Sequence, residues 1–176
     1  MTALAGIVAG PLAAGEPEKR QAMDFSEPEV ARLLWIVNDG VMGGASQSRF
    51  RHEADGVVFE GLVSLRNNGG FASLRGPLSC VADASALELT VHGDGKRYKL
   101  LLRMDTAPGA PHYQCDFIAT GLRVHRFAAS DFQATFRGRV VDAAPLALDR
   151  VTEFGILISD KQEGAFMLQL LRIAIA

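Results

Sequence analysis

The sequence predicts an all-β protein, one domain built as a sandwich or barrel of short strands. Three observations carry this. Apolar residues recur with a period of two across most of the chain, glycine-bearing turn signals punctuate the runs, and no long stretch follows the 3.6-residue period of a helix. A chain of 176 residues with 48% hydrophobic residues can bury an adequate core without staples.

The elements follow in order. Residues 1–15 are small and apolar, with Pro11 interrupting them, and residues 16–21 are charged and carry Pro17. We take residues 1–22 as a flexible extension and residues 23–176 as the domain. The apolar stretch faintly resembles a signal core ending at Ala13, Ala14 and Gly15, but no Lys or Arg precedes it. A start at Met23 is the other reading. The expected location is the cytoplasm, with export left open. At Ser26-Glu27-Pro28-Glu29 a short helix is expected, with Ser26 as its cap, Pro28 in the first turn and Glu29 as the acidic arm of a capping box, ending near Leu34. Trp35-Ile36-Val37 then reads as a buried segment.

From Ser46 onward the period is two. Val57, Phe59, Gly61, Val63 and Leu65 share one parity; so do Leu87, Leu89 and Val91, and again Tyr98, Leu100, Leu102 and Met104. Tyr113, Cys115, Phe117 and Ala119 follow, then Phe154, Ile156 and Ile158, then Phe166, Leu168 and Leu170. Leu101, Ile118, Met167, Leu171 and Ile173 place apolar groups on the opposite face, as central or covered strands require. Asp55-Gly56, Asn68-Gly69-Gly70, Gly93-Asp94-Gly95, Pro108-Gly109 and Glu163-Gly164 mark the turns.

Charge and composition exclude several functions. With net charge −2 and pI near 6.1, the chain has no basic excess with which to hold nucleic acid. No apolar run approaches the roughly 20 residues of a membrane span. His52, His92, His112 and His125 lack metal-ligand spacing, and there is no GxSxG elbow, phosphate loop or GxGxxG turn. No catalytic group, metal or cofactor is expected. Cys80 and Cys115 read as two small buried hydrophobes; one disulfide would suit an exported protein.

Four polar segments remain as candidate ligand or partner contacts. The first, residues 35–46, offers Asn38, Asp39 and Met42 beside a glycine pair. The second offers Asn67, Asn68, Ser73 and Arg75; its Asn-Gly step is a hairpin signal, and a buried Arg75 needs a carboxylate, with Asp39 and Asp94 the named candidates. Asp94 and Tyr98 mark the third, expected to be a plain Asp-Gly turn. Lys161 lies in the fourth, a polar loop between apolar strands.

The ordered series Asn38-Asp39-Gly40-Val41-Met42-Gly43-Gly44-x-Ser46, Phe59-x-Gly61, Asn67-Asn68-Gly69-Gly70-Phe71-x-Ser73-x-Arg75 and Gly93-Asp94-Gly95-x-x-Tyr98 resembles the complex I intermediate-associated protein 30 family. Phe136-Arg137-Gly138-Arg139 and Asp160-Lys161-Gln162-x-Gly164-x-Phe166 extend the match. The resemblance implies a galactose-binding-domain-like jelly roll. It further implies a non-catalytic binding or assembly module whose partner is a protein, such as a subunit or assembly intermediate of respiratory complex I at the inner face of its membrane. The alternative is a jelly roll that binds a carbohydrate or another polar small molecule.

Overall fold

The computed structural model describes residues 20–80 and 82–176. Eleven strands hydrogen-bond in the order β2-β5-β10-β6-β11-β4-β3, with β7, β8 and β9 continuing outward from β6 and β1 added to β11. The strands are β1 (Arg20–Asp24), β2 (Trp35–Asn38), β3 (Gln47–Glu53), β4 (Gly56–Val63), β5 (Ala72–Pro77) and β6 (Ala86–Arg103). The rest are β7 (His112–Ala128), β8 (Gln133–Phe136), β9 (Arg139–Val140), β10 (Glu153–Ile158) and β11 (Gly164–Ile175).

Two strands run through both layers of the sandwich. The first half of β6 pairs with β11, and its second half pairs with β10. Its long partner β7 bends with it: the register slips between Asp94 and Arg97, opposite Thr120 and Ile118, one step past the left-handed Gly121 that pairs with Gly93. The Gly93-Asp94-Gly95 segment is therefore a bulge inside one continuous strand, not a hairpin turn. A bulge adds an unpaired residue and sharpens local twist, which lets one hairpin fold over from the front layer to the back. The front layer is β2, β5, β10, the second half of β6, the first half of β7, and β8–β9. The back layer is β3, β4, β11, the remaining halves of β6 and β7, and β1.

The period-two residues fill the space between these layers. Phe59, Leu74, Leu87, Leu89, Tyr98, Leu100, Leu102, Ile156, Ile158 and Leu168 are all essentially inaccessible. Phe59 meets Phe166 edge-on at 4.9 Å, and Phe25 meets Phe154 at 5.8 Å, geometries that aromatic quadrupoles favour. A second irregularity between Leu170 and Arg172 switches the parity of β11, so Ile173 and Ile175 also face inward.

Local differences from expectation have simple causes. The helix is a single turn, α1 (Pro28–Ala31), with Pro in its first turn, and Ser26 does not cap it. The Ser26 N–H and hydroxyl both donate to Asp24 Oδ1, at 2.9 and 2.6 Å. Trp35 is not buried: β2 turns Ile36 toward the core and leaves Trp35 40% exposed on the outer face. The sheet also begins three residues ahead of the expected boundary, since Arg20 pairs with Ile175. The Asn67-Asn68-Gly69-Gly70 segment does not close a hairpin. The strands it joins, β4 and β5, belong to opposite layers and have different partners. Cys80 and Cys115 are free and half-buried; burial pushes the Cys80 thiol up to about 11.

Candidate functional site

Two polar constellations organise the molecule. The first joins the loops at one end of the sandwich. Asp39 opens a short 3-10 turn (Asp39–Met42) after β2, and only 1% of its surface is accessible. Its carboxylate accepts hydrogen bonds from the Ser46 N–H at 3.0 Å, the Ser46 hydroxyl at 2.6 Å, the Gly70 N–H at 2.6 Å and the Phe71 N–H at 3.3 Å. Burial opposes the charge, but these four donors outweigh it and hold the carboxyl below the usual range. The glycines follow from this contact. A Cβ at Gly44 would overlap the Asp39 carboxyl, and one at Gly69 would come within 2.5 Å of its Oδ2. Neighbouring Gly43 and Gly70 take positive φ values of 85° and 130°.

Other candidate residues serve the same scaffold. Asn38 Oδ1 accepts the Ser48 hydroxyl at 2.6 Å, and Asn67 Nδ2 donates to the Gly43 carbonyl at 3.1 Å. Asn67 and Asn68 are exposed and left-handed, with φ of 56° and 57°. Met42 is 77% exposed. At the β6 bulge, Asp94 accepts the Lys96 N–H, the Tyr98 hydroxyl and the Met167 N–H at 3.0, 3.0 and 2.9 Å, tying the bend to β11. Burial, then the Asp94 charge, pushes the Tyr98 phenol far above its ordinary value. Lys161 sits exposed in the β10–β11 turn, where it and Asp160 are both left-handed.

The second constellation lies on the outer face of the front layer. Cross-strand register places Trp35, Arg75, Gly155, Leu101 and Gln114 in one row. The adjacent row holds Glu153 opposite Arg103. Arg75 Nη1 and Arg103 Nη1 approach the same oxygen, Glu153 Oε1, at 3.5 and 3.6 Å. The expected partners, Asp39 and Asp94, are both occupied elsewhere, so the carboxylate of Arg75 is Glu153 on the neighbouring strand. Both arginine side chains are 16% exposed and the glutamate 10%. Arg75, Arg103, His112 and Glu153 close over Gly155 and Leu101 and leave no space between them that admits a water molecule. Burial, then the charges of Arg75 and Arg103, lowers His112 to about 4, so the imidazole is neutral near pH 7. Burial also lowers Arg75, which Glu153 counters and Arg103 reinforces. Lys99, farther along the face, is bridged to Asp116 at 2.8 Å and Asp160 at 2.9 Å.

The four segments thus do not converge on one pocket. Asn38, Asp39, Asn67, Asp94 and Tyr98 bind the loops and the bend internally, and Ser73 and Arg75 share the front face. Glu153, Arg103 and His112 escaped the sequence reading. The parity of Arg103 beside Lys99 and Leu101 was visible, but only the order β5-β10-β6 brings one carboxylate between two arginines. Among the described residues, no group of three or more His, Cys, Asp or Glu side chains is placed to hold a metal.

Comparison with solved structures defines the class. A family 11 carbohydrate-binding module from Clostridium thermocellum, in complex with a beta-1,3-1,4-mixed-linked tetrasaccharide, superposes with a TM-score of 0.63 at 11% identity, covering 91% of this chain and 96% of that one. The family 11 module of the cellulosomal cellulase Lic26A-Cel5E of the same organism gives 0.63 at 11%, over 92% and 95%. The agarase AgWH50C gives 0.56 at 11%, over 90% of this chain and 24% of that one. The fold is a galactose-binding-like jelly-roll sandwich.

No curated protein matches the chain. The profile of the Complex I intermediate-associated protein 30 (CIA30) family matches residues 23–170, and the chain belongs to that family.

Proposed function

We propose that this protein is a non-catalytic, chaperone-like binding module that acts in the assembly of respiratory complex I, the NADH:ubiquinone oxidoreductase. The observation that carries the reading is the CIA30 match across residues 23–170. The chemistry of the loops supports it. Asp39 and Asp94, the carboxylates within the family-like motifs, spend their acceptor capacity on backbone and hydroxyl donors. They act as scaffold, leaving the strand-borne face around Arg75 and the exposed Met42, Asn68 and Lys161 as contact surface. The partner is a complex I subunit or assembly intermediate, met in the cytoplasm at the inner face of the respiratory membrane.

Deletion of the gene tests this reading. The expected result is a reduced amount of assembled complex I on native gels, with membrane-arm or peripheral-arm intermediates accumulating. A deletion strain with unchanged complex I content and NADH oxidation rate overturns it.

A second reading, binding of a glycan or another polar small molecule, is supported by the jelly-roll likeness to a carbohydrate-binding module. A glycan array with the purified chain separates the two, because the assembly reading expects no glycan signal.

A further inference from the structure

The sheet has one long free edge. β7 is 17 residues long, and β8 pairs with only His112, Tyr113 and Gln114 on its outer side. From Cys115 to Ala128 no strand pairs with that side among the described residues. An open edge offers a row of backbone donors and acceptors to any extended chain, so natural edges are kept short or charged. The other edges obey this rule. β1, β2 and β9 have five, four and two residues, and the seven of β3 include Arg49, Arg51 and Glu53. The β7 edge does not. Its outward residues are Asp116, Ile118, Thr120, Leu122, Val124 and Arg126, and of these Ile118, Leu122 and Val124 are 56, 65 and 59% exposed.

This series is complementary to its own reverse: an acid at one end, a base at the other, and apolar groups on either side of Gly121. We propose that the occupant of the edge is a second copy of the chain, paired antiparallel through β7 about a two-fold axis at Gly121. In that register Ile118 faces Val124 of the second copy, Thr120 faces Leu122, and Asp116 faces Arg126. Each contact occurs twice, as an isologous interface requires. Within one chain Asp116 is bridged to Lys99 at 2.8 Å and Arg126 to Glu88 at 3.0 Å, each across the β6–β7 pair. Joining the edges extends these pairs into a row of Lys99, Asp116, Arg126 and Glu88 whose charges alternate across the interface. Opposite charges on facing strands stabilise a sheet. The bend selects the same register. β7 passes from the front layer to the back near Gly121, whose φ is 59°, and two bent edges lie flush only where their bends coincide. A shift by two residues either way also separates Asp116 from Arg126. The two-fold axis keeps both cores on the same side of the joined sheets, so the front layer of one copy continues into the back layer of the other.

The test is the mass of the full chain in solution, by size-exclusion chromatography with light scattering at about 100 μM, a concentration that populates an interface of micromolar Kd. The wild type is expected as a dimer. Ile118→Glu and Val124→Lys each set a charge against an apolar group of the other copy, and each alone should weaken dimerisation at least tenfold. Both positions are exposed, so the fold should persist. Thermal melts identify a variant that fails to fold, and Leu122→Glu with Thr120→Lys is then the substitute pair. Mixing Ile118→Glu with Val124→Lys should restore a dimer, because one of its two contacts becomes an ion pair and the other keeps the original Ile118 and Val124. Rescue on mixing is a result that loss of local stability would not produce. A monomeric wild type overturns the pairing and leaves the edge for a strand of another protein. A dimer that neither substitution weakens, or variants that stay monomeric when mixed, overturns it as well. These outcomes are independent of the deletion experiment, which reads complex I content alone.

Discussion

Asp39 and Glu153 are both buried carboxylates at the centre of polar networks, and they are satisfied in opposite ways. Asp39 receives four hydrogen bonds from neutral donors on two segments of chain, Ser46 and Gly70-Phe71. Every donor it meets would otherwise be a loop group in need of a partner, so the network closes on itself. Glu153 faces two cations, satisfies neither fully, and leaves two Nε atoms unpaired among the described residues. A closed network stabilises the fold; an open one leaves buried donors unpaired inside it.

The sharpest way to break this comparison is to remove Asp39. Asp39→Ala strands the Ser46, Gly70 and Phe71 donors together and should cost about 3–5 kcal/mol in urea unfolding. A loss below 1 kcal/mol would show that the loops do not depend on it. Glu153→Ala should follow at about 3 kcal/mol, because it leaves two arginines unpaired. Arg103→Gln should cost about 1 kcal/mol or less, since a neutral pair survives. If the two substitutions cost the same, the charge imbalance on the front face is not real.

The two regions also separate on a pH axis. His112 binds its proton with a value of about 4 in the folded chain against 6.5 ordinarily. Between those values the unfolded chain takes up a proton that the folded chain refuses, so stability rises with pH across this window. It should fall by about 1–2 kcal/mol from pH 6.5 to 4, after discounting for solvent screening. His112→Gln should flatten that slope. Asp39 acts in a different window, because its folded value lies below the usual carboxylate value of 3.8. Its contribution is complete above that value and is lost only as pH falls through the lower folded one. Urea titrations at stepped pH, with and without His112, resolve the two.

A small effect is also expected at the bend. Asp94→Ala leaves the buried Tyr98 hydroxyl and the Met167 N–H without their carboxylate and should cost about 1 kcal/mol, since water can reach part of this turn. A shift in the near-ultraviolet signal of Tyr98 would report the local rearrangement.

Reading the chain from its residues alone located most of the core, because burial between two layers imposes a period of two that composition cannot hide. The alternation through Val57, Phe59 and Val63, or through Leu87, Leu89 and Val91, names the inward face without any knowledge of partners. The ordered Asn, Asp and Gly motifs carried the family, and the glycines around Asp39 have a local cause in its close approach. What stayed illegible was pairing across distance. Asp-Gly and Asn-Gly steps look like hairpins in sequence, yet one is a bulge in an 18-residue strand and the other a crossing between layers.

Period and turn chemistry are properties of neighbours along the chain, so the sequence by itself determined the strands, their inward faces and the jelly-roll family. Strand order and register are set by which apolar faces bury together across the whole molecule. Only the tertiary structure could therefore decide that β10 lies between β5 and β6, and that Arg75 meets Glu153 and Arg103 there.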